Sequence, residues 1–555
     1  MPPPTRGARK SLNRLHDQTS KEEPLTTRIR QRPASNGPVS NGTRTRHPAA
    51  RRFAILAAAV VVTMGLSGCV PAFLPQPSAS TSSPTGESVS SALDPFYNQV
   101  LTWTDCGNSL QCTTAKAPLE WSAPGTDTVD LALVRHVATG TRVGSLLVNP
   151  GGPGGSGYDF VKGSLDYATD AKLQAGFDIV GFDPRGVGRS SAVKCFGAAE
   201  MDQYLYAIPT AARGTDAWIQ EVEKSSTDFG AACATNTGAL LAHVDTVSAA
   251  HDLDMLRAVL GDAQLNYLGY SYGTFLGATY ANLFPDKVGR LVLDGALDPS
   301  TSNAEVTRVQ AVGFESALRS YLADCLAGSK CPFNGTVDQA MTTISALLDS
   351  VDRSPIAASD GRMLGANTLL TAIIYPLYQA SAWPNLSEML SSVMQGNTKI
   401  AFQFADAYNG RNSDGTYLDN STEAFLAINC LDYSYNDDPA VMRADAAAIE
   451  AAAPVIGKYM AYGDTGCANW PDKFTGTRAE IHAPGAAPIL VVGTTNDPAT
   501  PYVWAQSLAR QLDSAQLVTY AGEGHTAYNK SNACVNNAVD SYLLQGTVPA
   551  TDPKC

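Results

Sequence analysis

Ser271 lies at the centre of the pattern G-x-S-x-G, which is formed by residues 269–273. Residues 265–268 have the apolar character of a short strand, and apolar residues at helical spacing follow over 273–284. A serine on so sharp a turn has a strained backbone and needs glycine two positions to either side. The turn directs the hydroxyl away from the sheet, which suits a nucleophile in acyl transfer. The alternative is an ordinary strand-to-helix turn.

A serine nucleophile needs a base, which in this arrangement follows it in the sequence. Two histidines follow Ser271, namely His482 and His525. His482 has Ala, Pro and Gly neighbours that are typical of a loop before the last strands. His525 lies on a Gly-bordered loop directly after the predicted strand 515–520, where the base of such a site is expected. We therefore predict that His525 is the general base.

The acid that orients the base is predicted to be Asp497. It follows directly on the apolar strand predicted for residues 489–492, at the sheet edge that presents loops. Its carboxylate is expected to hold the Nδ1–H group of His525 and to stabilise the imidazolium. One alternative is that this residue is only a turn aspartate before proline. The other is that Glu523 or Asp464 is the acid.

Residues 150–157 form a glycine-rich segment after another predicted strand. The segment lacks the G-K-[ST] ending of a phosphate-binding loop, so a nucleotide phosphate is not its expected ligand. In a serine hydrolase, a loop at this place supplies the second hydrogen-bond donor to the oxyanion. The predicted donors are the N–H groups of Tyr272 and Gly152, with Gly151 as an alternative to Gly152.

Short apolar strands alternate with helical patterns after residue 93, which indicates a mostly parallel sheet with helices on both faces. Together with the serine turn, this pattern predicts the α/β-hydrolase fold. Residues 300–484 are polar, Ala-rich and helical in pattern, without a run typical of a buried parallel strand. We predict that they form a helical cap inserted between two parts of the core, 93–299 and 485–555. A second independent domain is the alternative.

The first 92 residues are predicted to precede the folded enzyme. Residues 1–68 have a long basic, polar start and an apolar run over 53–66 that is short for a membrane span, as in a signal peptide. The run ends in a sequence that resembles a bacterial lipobox, so Cys69 is predicted to be lipidated. Residues 69–92, rich in Pro, Ser and Thr, are predicted to be a flexible tether. An uncleaved transmembrane anchor is the alternative.

The net charge of −13 argues against nucleic acid as a partner and against electrostatic binding to an anionic lipid surface. A membrane is therefore expected to be contacted through the lipid anchor only.

Ten of the eleven cysteines remain when Cys69 is set aside. They form no C-x-x-C pair and have no accompanying His cluster, which argues against zinc, and no metal or cofactor is expected. In an exported chain, ten cysteines predict five disulfides. The sequence does not determine the pairing, but short loops favour the nearest neighbours: Cys106–Cys112, Cys195–Cys233, Cys325–Cys331, Cys430–Cys467 and Cys534–Cys555.

Several motifs follow one another between about residue 101 and residue 555: NPGGPGGSG, DPRGVGRS, GYSYGTFLGATYANLFP, LDGALDP, AINCLDY, DPATP, GEGH and a closing cysteine pair. Together they resemble the secreted tripeptidyl aminopeptidases and proline-iminopeptidase-like serine hydrolases. The similarity is greatest to the bacterial branch with a TAP-like C-terminal segment. The resemblance implies Ser271 as nucleophile, Asp497 as acid and His525 as base, with the Gly-Gly-Pro-Gly loop at the oxyanion.

The resemblance also implies an exopeptidase that releases short peptides from free N-termini. Proline iminopeptidases usually have His before the Gly-Gly-Pro-Gly loop, whereas Pro150 stands there, which argues against specificity for a single N-terminal proline. Related enzymes hold the substrate α-amine with carboxylates of the cap. Asp432 is the candidate for this role, and a solvated carboxylate is the alternative.

Two other functions are left open by the sequence. One is a carboxylesterase or lipase with the same three residues, and the other is a non-catalytic lipoprotein that uses the fold for binding. The expected partners are peptide substrates, and the oligomeric state is left open. The expected location is the outer face of the cell membrane, with later shedding of the anchored form also left open.

Overall fold

The computed structural model describes residues 79–555. The predicted signal peptide (1–68), Cys69 and the first part of the predicted tether lie outside these residues. No helix within the described part is long and apolar enough to cross a membrane.

The strands of residues 79–555 are β1 (Ser80–Thr81), β2 (Thr102–Asp105), β3 (Leu110–Pro118), β4 (Thr128–His136), β5 (Gly144–Asn149), β6 (Phe177–Phe182), β7 (Leu265–Tyr270), β8 (Val288–Asp294), β9 (Ile356–Ala357), β10 (Met363–Leu364), β11 (Ile489–Asn496) and β12 (Ala515–Glu523). Ten of them form one sheet in the order β1-β2-β3-β4-β6-β5-β7-β8-β11-β12, and β9 pairs with β10.

The helices are α1 (Asp94–Tyr97), α2 (Gly157–Ala168), α3 (Ala171–Gly176), α4 (Ala198–Tyr206), α5 (Asp216–Thr237), α6 (Thr246–Val259), α7 (Tyr272–Leu283), α8 (Asn303–Ala327), α9 (Val337–Arg353), α10 (Ala366–Leu377), α11 (Trp383–Met394), α12 (Lys399–Tyr408), α13 (Ser421–Asp432), α14 (Pro439–Ala452), α15 (Gly457–Met460), α16 (Tyr502–Gln511) and α17 (Ala533–Gln545). Short 3₁₀ turns cover Gly238–His243, Pro285–Lys287, Ala380–Ala382 and Gly463–Gly466.

In the large sheet, β5, β6, β7, β8, β11 and β12 pair parallel with one another. β1 to β4 pair antiparallel, and β4 also pairs antiparallel with β6. β5 and β6 are buried along their whole length and are largely apolar, as strands covered on both faces must be. Helices α6, α7 and α16 contribute to the apolar core on one face, and α2, α3 and α17 to the core on the other. Because β7, β8, β11 and β12 are parallel, their carboxyl ends meet at one edge of the sheet.

Helices α8 to α15 lie in the chain between β8 and β11, although these two strands pair directly in the sheet. The helical segment is therefore an insertion between neighbouring core strands. Helices α8 to α12 and α15 share an apolar cluster that lies mostly within the insertion and also includes Tyr206 and Ala499. We refer to residues 300–484 as the cap.

The prediction of a flexible tether over residues 69–92 is wrong for residues 79–92, because these residues lie on the core. β1 pairs with β2, and the carboxylate of Glu87 lies 2.5 Å from Nη2 of Arg257 and 2.9 Å from Nζ of Lys287. The side chain of Arg257 is fully buried, and a buried cation needs an ionised partner. The Pro, Ser and Thr composition gave no sign of this contact, because it depends on one carboxylate and not on an apolar run.

The ten cysteines in the described residues form five disulfides with the predicted nearest-neighbour pairing. The disulfide Cys534–Cys555 joins α17 to the chain terminus, which runs beside β12. There the N–H of Cys555 donates to the carbonyl oxygen of Thr519 at 2.7 Å, and the N–H of Thr519 donates to the carbonyl oxygen of Pro553 at 2.9 Å. The terminal residues thus cover the open edge of the last strand.

Candidate active site

Ser271 stands between β7 and α7 with φ +55° and ψ −123°, a conformation that non-glycine residues rarely adopt. Its N–H donates to the carbonyl oxygen of Asp294 at 2.9 Å, so the end of β8 holds the turn. A Cβ on Gly269 would lie 2.4 Å from the carbonyl oxygen of Gly273, and a Cβ on Gly273 would lie 2.8 Å from Oδ1 of Asn149. The turn therefore requires glycine on both sides of the serine.

His525 and Asp497 are joined by hydrogen bonds. The Nδ1 atom of His525 lies 2.9 Å from Oδ1 and 3.0 Å from Oδ2 of Asp497. The Asp497 side chain is 0% exposed and accepts from the backbone N–H groups of Ala499, Thr500 and Thr526 at 2.9–3.1 Å. The Thr500 hydroxyl also donates to it, at 3.0 Å. These donors hold the carboxylate in the orientation that keeps the proton of the imidazole on Nδ1.

The cap positions His525 through Tyr378, which directly follows α10. The N–H of His525 donates to the carbonyl oxygen of Tyr378 at 2.9 Å. The two rings meet edge to face, with centroids 5.4 Å apart and planes at 88°. A Cβ on Gly524 would lie 3.0 Å from the same carbonyl oxygen, and Gly524 has φ +98°. A residue of the cap thus fixes both the backbone and the ring of His525.

Asp294 connects the serine turn to the histidine loop. Its carbonyl oxygen accepts from the N–H of Ser271, and its carboxylate accepts from the N–H groups of Ala527 and Tyr528 at 2.8–3.0 Å. Burial raises the pKa of Asp294, and these hydrogen bonds and the charge of Lys530 oppose that rise. One residue therefore links the two loops, through its backbone carbonyl to the serine turn and through its carboxylate to the histidine loop.

The ring of His525 lies beside the serine turn. Its Cε1 is 3.3 Å from the position of a Cβ built on Gly295, the residue after Asp294. Within residues 79–555, the hydrogen bonds of this ring go to Asp497 and Thr500, so none reaches the Ser271 hydroxyl. Rotation about the Cα–Cβ bond of Ser271 moves Oγ without disturbing the turn, and such bonds are often long before substrate binds.

The glycine-rich loop lies against the serine turn. A Cβ on Gly151 would lie 2.8 Å from Cβ of Ser271 and 3.1 Å from the backbone nitrogen of Tyr272. The N–H of Gly151 already donates to Oδ1 of Asn149 at 2.9 Å, which removes it as the alternative oxyanion donor. The N–H groups of Gly152 and Tyr272 donate to no other group within residues 79–555. They are therefore available to a developing oxyanion.

A cavity of about 230 Å³ opens at Ser271 between the core and the cap. Core residues Gly152, Pro153, Tyr272 and Phe275 form one side of it. The cap supplies the other side from α8, α13 and the turn Gly463–Gly466, with Asn303, Gln310, Phe425, Leu426, Asn429 and Asp432 among the lining residues. The space beside the serine is thus partly apolar and has polar groups at defined points.

Asp432 lines this cavity at the end of α13 and is almost completely buried. It accepts from the N–H of Thr246 at 2.9 Å and from the Thr246 hydroxyl at 2.6 Å, and that hydroxyl also contacts the Tyr272 hydroxyl. Burial raises the pKa of Asp432 to about 7. The hydrogen bonds from Thr246 and the positive charge of Arg478 oppose this rise, whereas the negative charge of Asp245 adds to it. A buried carboxylate of this kind gains from a cationic partner.

The three alternatives to the predicted base and acid take no part in the contact between His525 and Asp497. His482 is largely exposed, and its Nδ1 lies 2.8 Å from the carbonyl oxygen of the last residue of α16. Glu523 accepts from the side chain of Asn496, and Asp464 from the side chain of Asn303. Neither carboxylate contacts the His525 ring, whose described bonds go to other groups. Residues 79–555 contain no cluster of three or more His, Cys, Asp or Glu side chains that could hold a metal ion.

Residues 453–555 match the protein family described as TAP-like protein. The chain is 36% identical over 488 residues to serine protease Hip1 of Mycobacterium tuberculosis, and the aligned region covers 83% of this chain and 92% of that protein. The chain belongs to the TAP-like α/β-hydrolase family. It is also 37% identical over 457 residues to carboxylesterase B of Mycobacterium tuberculosis, covering 80% of this chain and 86% of that protein.

A further relative of this TAP-like hydrolase is the tripeptidyl aminopeptidase of Streptomyces lividans. The two are 31% identical over 471 residues, covering 82% of this chain and 86% of that protein. These relatives confirm the predicted family, and they confirm that the chain is a serine hydrolase. The architecture of the sheet and its helices confirms the predicted fold class.

Sequence reasoning did not identify two positioning residues of this TAP-like hydrolase, Asp294 and Tyr378. Asp294 ends the apolar strand β8, which pairs with the serine strand β7, and its place in the LDGALDP motif was a usable signal. Tyr378 gave no such signal, because its contact with His525 joins a cap helix to a core loop almost 150 residues later in the chain. Thr246, which holds Asp432, gave none for the same reason.

Proposed function

We propose that this TAP-like hydrolase is a serine exopeptidase that releases short peptides from free N-termini. The observation that supports it most directly is the buried carboxylate of Asp432, which lines the same cavity as Ser271. A peptide with a free N-terminus carries one cation at its end, and a desolvated carboxylate binds that cation well. The relative named tripeptidyl aminopeptidase agrees with this reaction class.

The proposed reaction begins with attack of Ser271 Oγ on the carbonyl carbon of the scissile bond. Nε2 of His525 takes the hydroxyl proton, and Asp497 stabilises the imidazolium. The carbonyl oxygen becomes an oxyanion that accepts from the N–H groups of Tyr272 and Gly152. His525 then gives its proton to the leaving nitrogen, the C–N bond breaks and a serine ester remains. Water that loses a proton to His525 hydrolyses this ester, and the proton returns to Ser271.

The proposed role of Asp432 is to bind the substrate α-ammonium group. The carboxylate already accepts two hydrogen bonds from Thr246, so its orientation is fixed before a substrate enters. Its position in a cavity between core and cap limits the length of chain that fits between the amine and the scissile carbonyl. Release of short peptides follows from this limit.

The proposal is tested with pairs of peptide nitroanilides that differ only in acetylation of the N-terminus. We expect the free peptides to be cleaved and the acetylated ones to be cleaved at least a hundredfold more slowly, because acetylation removes the cation. The Ser271→Ala variant controls for other hydrolases in the preparation. Equal cleavage of blocked and free peptides would refute an exopeptidase.

A carboxylesterase is the second candidate, and the apolar side chains of the cavity favour it. Phe275, Leu297 and Leu426 line the space next to Ser271 and suit an acyl chain without an amine. The relative named carboxylesterase B agrees with this reading. Parallel assay of the peptide nitroanilides and of short-chain nitrophenyl esters distinguishes the two, because an esterase cleaves the esters alone.

We also propose that the enzyme is exported and held on the outer face of the membrane by a lipid on Cys69. The support is the apolar run over 53–66 that ends before this cysteine, together with five disulfides, which persist in oxidising compartments. Detergent phase partitioning of the full chain and of Cys69→Ala tests it. The unmodified chain is expected in the detergent phase and the variant in the aqueous phase. Equal partitioning would refute the anchor.

A further inference from the structure

Aromatic rings extend outward from His525 across the surface of the cap. The ring of Tyr378 meets His525 edge to face at 5.4 Å. The ring of Tyr408, at the end of α12, lies 6.4 Å from that of Tyr378 and 6.4 Å from that of Tyr375 in α10. These distances fall within the range of interacting aromatic pairs. The rings therefore form one continuous surface that begins at the histidine.

The outer rings of this surface face solvent. Tyr375 is 42% exposed and Tyr408 is 47% exposed. On the core side, Tyr167 of α2 is 40% exposed, and its hydroxyl accepts from Nε2 of Gln379 at 3.1 Å. We call Tyr167, Tyr375, Tyr378 and Tyr408 the aromatic rim.

The rim and the Asp432 cavity adjoin different residues of the proposed catalytic site. The cavity is lined by Ser271 and by the loop of Gly152, but His525 does not line it. The rim, in contrast, begins at the His525 ring. In acyl transfer the histidine gives its proton to the leaving nitrogen, so the leaving part of the substrate must lie on the histidine side.

We propose that the aromatic rim binds the part of the peptide that leaves, and that it favours substrates with an aromatic residue directly after the scissile bond. The inference rests on the exopeptidase function proposed above. An aromatic side chain there packs against the exposed part of the Tyr375 or Tyr408 ring. The occupant is the substrate itself, since the rim is continuous with the proposed catalytic histidine. Tyr375 and Tyr408 are only partly covered within residues 79–555, so each keeps exposed surface for the substrate.

The test uses two unblocked tetrapeptide amides with the same first three alanines and either Phe or Ser as the fourth residue. We expect kcat/KM for the Phe substrate to exceed that for the Ser substrate by on the order of tenfold, the size of one aromatic contact. In the double variant Tyr375→Ser and Tyr408→Ser, the ratio is expected to fall to about one. Tri-alanine ethyl ester has no leaving side chain, so its hydrolysis should be unchanged and reports a folded enzyme.

Val100→Ser is the matched control, because Val100 is 59% exposed and precedes β2 at the far side of the sheet. It should keep the tenfold preference, and the single variant Tyr375→Ser should lose part of it. Failure of the wild type to prefer Phe, or an unchanged preference in the double variant, would overturn the inference. Equal cleavage of acetylated and free peptides with the Phe preference retained would instead overturn the exopeptidase and leave the rim in place.

Discussion

Asp432 is the residue whose chemistry most narrows the choice of substrate. Its carboxylate is buried beside Ser271, and burial raises its pKa to about 7. It is therefore charged above pH 7 and neutral below. An α-ammonium group with a pKa of about 7.7–8.0 is protonated below pH 8. The Asp432 carboxylate and the α-ammonium group therefore attract each other most strongly between about pH 7 and pH 8.

We predict that KM for an unblocked peptide rises as the pH is lowered from 7.5 to 6, because Asp432 becomes neutral. Asp432→Asn should raise KM at pH 7.5 by about ten- to a hundredfold, the value of a charged hydrogen bond. It should also remove the pH dependence of KM. Steady-state kinetics across this range measures both effects, with nitrophenyl acetate as the substrate that lacks an amine. An unchanged KM in the variant would remove Asp432 from amine binding.

Asp294 positions the serine and histidine loops but does not line the cavity at Ser271. Its carboxylate holds the N–H groups of Ala527 and Tyr528, and its carbonyl oxygen holds that of Ser271. We predict that Asp294→Asn lowers kcat by about tenfold and the free energy of unfolding by about 2 kcal/mol, since one charged acceptor of two backbone donors is lost.

The control for this variant is Asp286→Asn. Asp286 lies just before the opposite end of the same strand, β8, and is exposed. It should change neither kcat nor the denaturation midpoint. Steady-state kinetics measures kcat for both variants, and urea denaturation measures their stability. A kcat for Asp294→Asn equal to that of Asp286→Asn would contradict the positioning role of Asp294.

At the scale of elements, the site depends on loops at the carboxyl ends of parallel strands. Gly152 has φ +114°, and a Cβ there would lie 3.0 Å from the backbone nitrogens of Gly154 and Gly155. We predict that Gly152→Ala lowers kcat by about a hundredfold with little change in KM, because a displaced oxyanion donor matters only in the transition state.

Gly163→Ala is the matched substitution for that experiment. Gly163 lies within α2, and a Cβ there would meet no atom within 4 Å. Its kcat should equal that of the wild type. If Gly152→Ala behaves in the same way, the loop does not supply an oxyanion donor.

The strand ends explain why much of the site could be predicted from the sequence. Apolar runs identify β7, β11 and β12, and parallel neighbours must present their following residues at one edge. The proximity of Asp497 and His525 follows from this topology. The contact of Tyr378 with His525 does not, because it depends on how the cap packs on the core, and cap helices contain no pattern that specifies their partners.

In the whole molecule, an ion pair attaches the irregular segment at one end of the described residues, and a disulfide attaches the segment at the other end. Residues 79–92 lacked a sequence pattern for packing, yet Glu87 attaches them to the core. The five disulfides, in contrast, have the nearest-neighbour pairing that short loops favour, although the sequence left other pairings open.

We predict that Cys534→Ser with Cys555→Ser lowers the free energy of unfolding by about 3 kcal/mol, because the link closes a loop of 21 residues. The terminal residues would also leave the edge of β12. Cys106→Ser with Cys112→Ser opens a loop of 6 residues and should cost about 2 kcal/mol. Urea denaturation measures both losses, and an equal or larger loss for the shorter loop would contradict the chain-entropy argument.

All of these roles depend on Ser271 as the nucleophile and on His525 as the base that activates it. Fluorophosphonate labelling followed by peptide mass mapping tests it most directly. We predict one adduct, on Ser271, that forms at least a hundredfold more slowly in His525→Ala and is absent from Ser271→Ala. An adduct on another residue, or hydrolysis that persists unchanged in Ser271→Ala, would show that Ser271 is not the nucleophile.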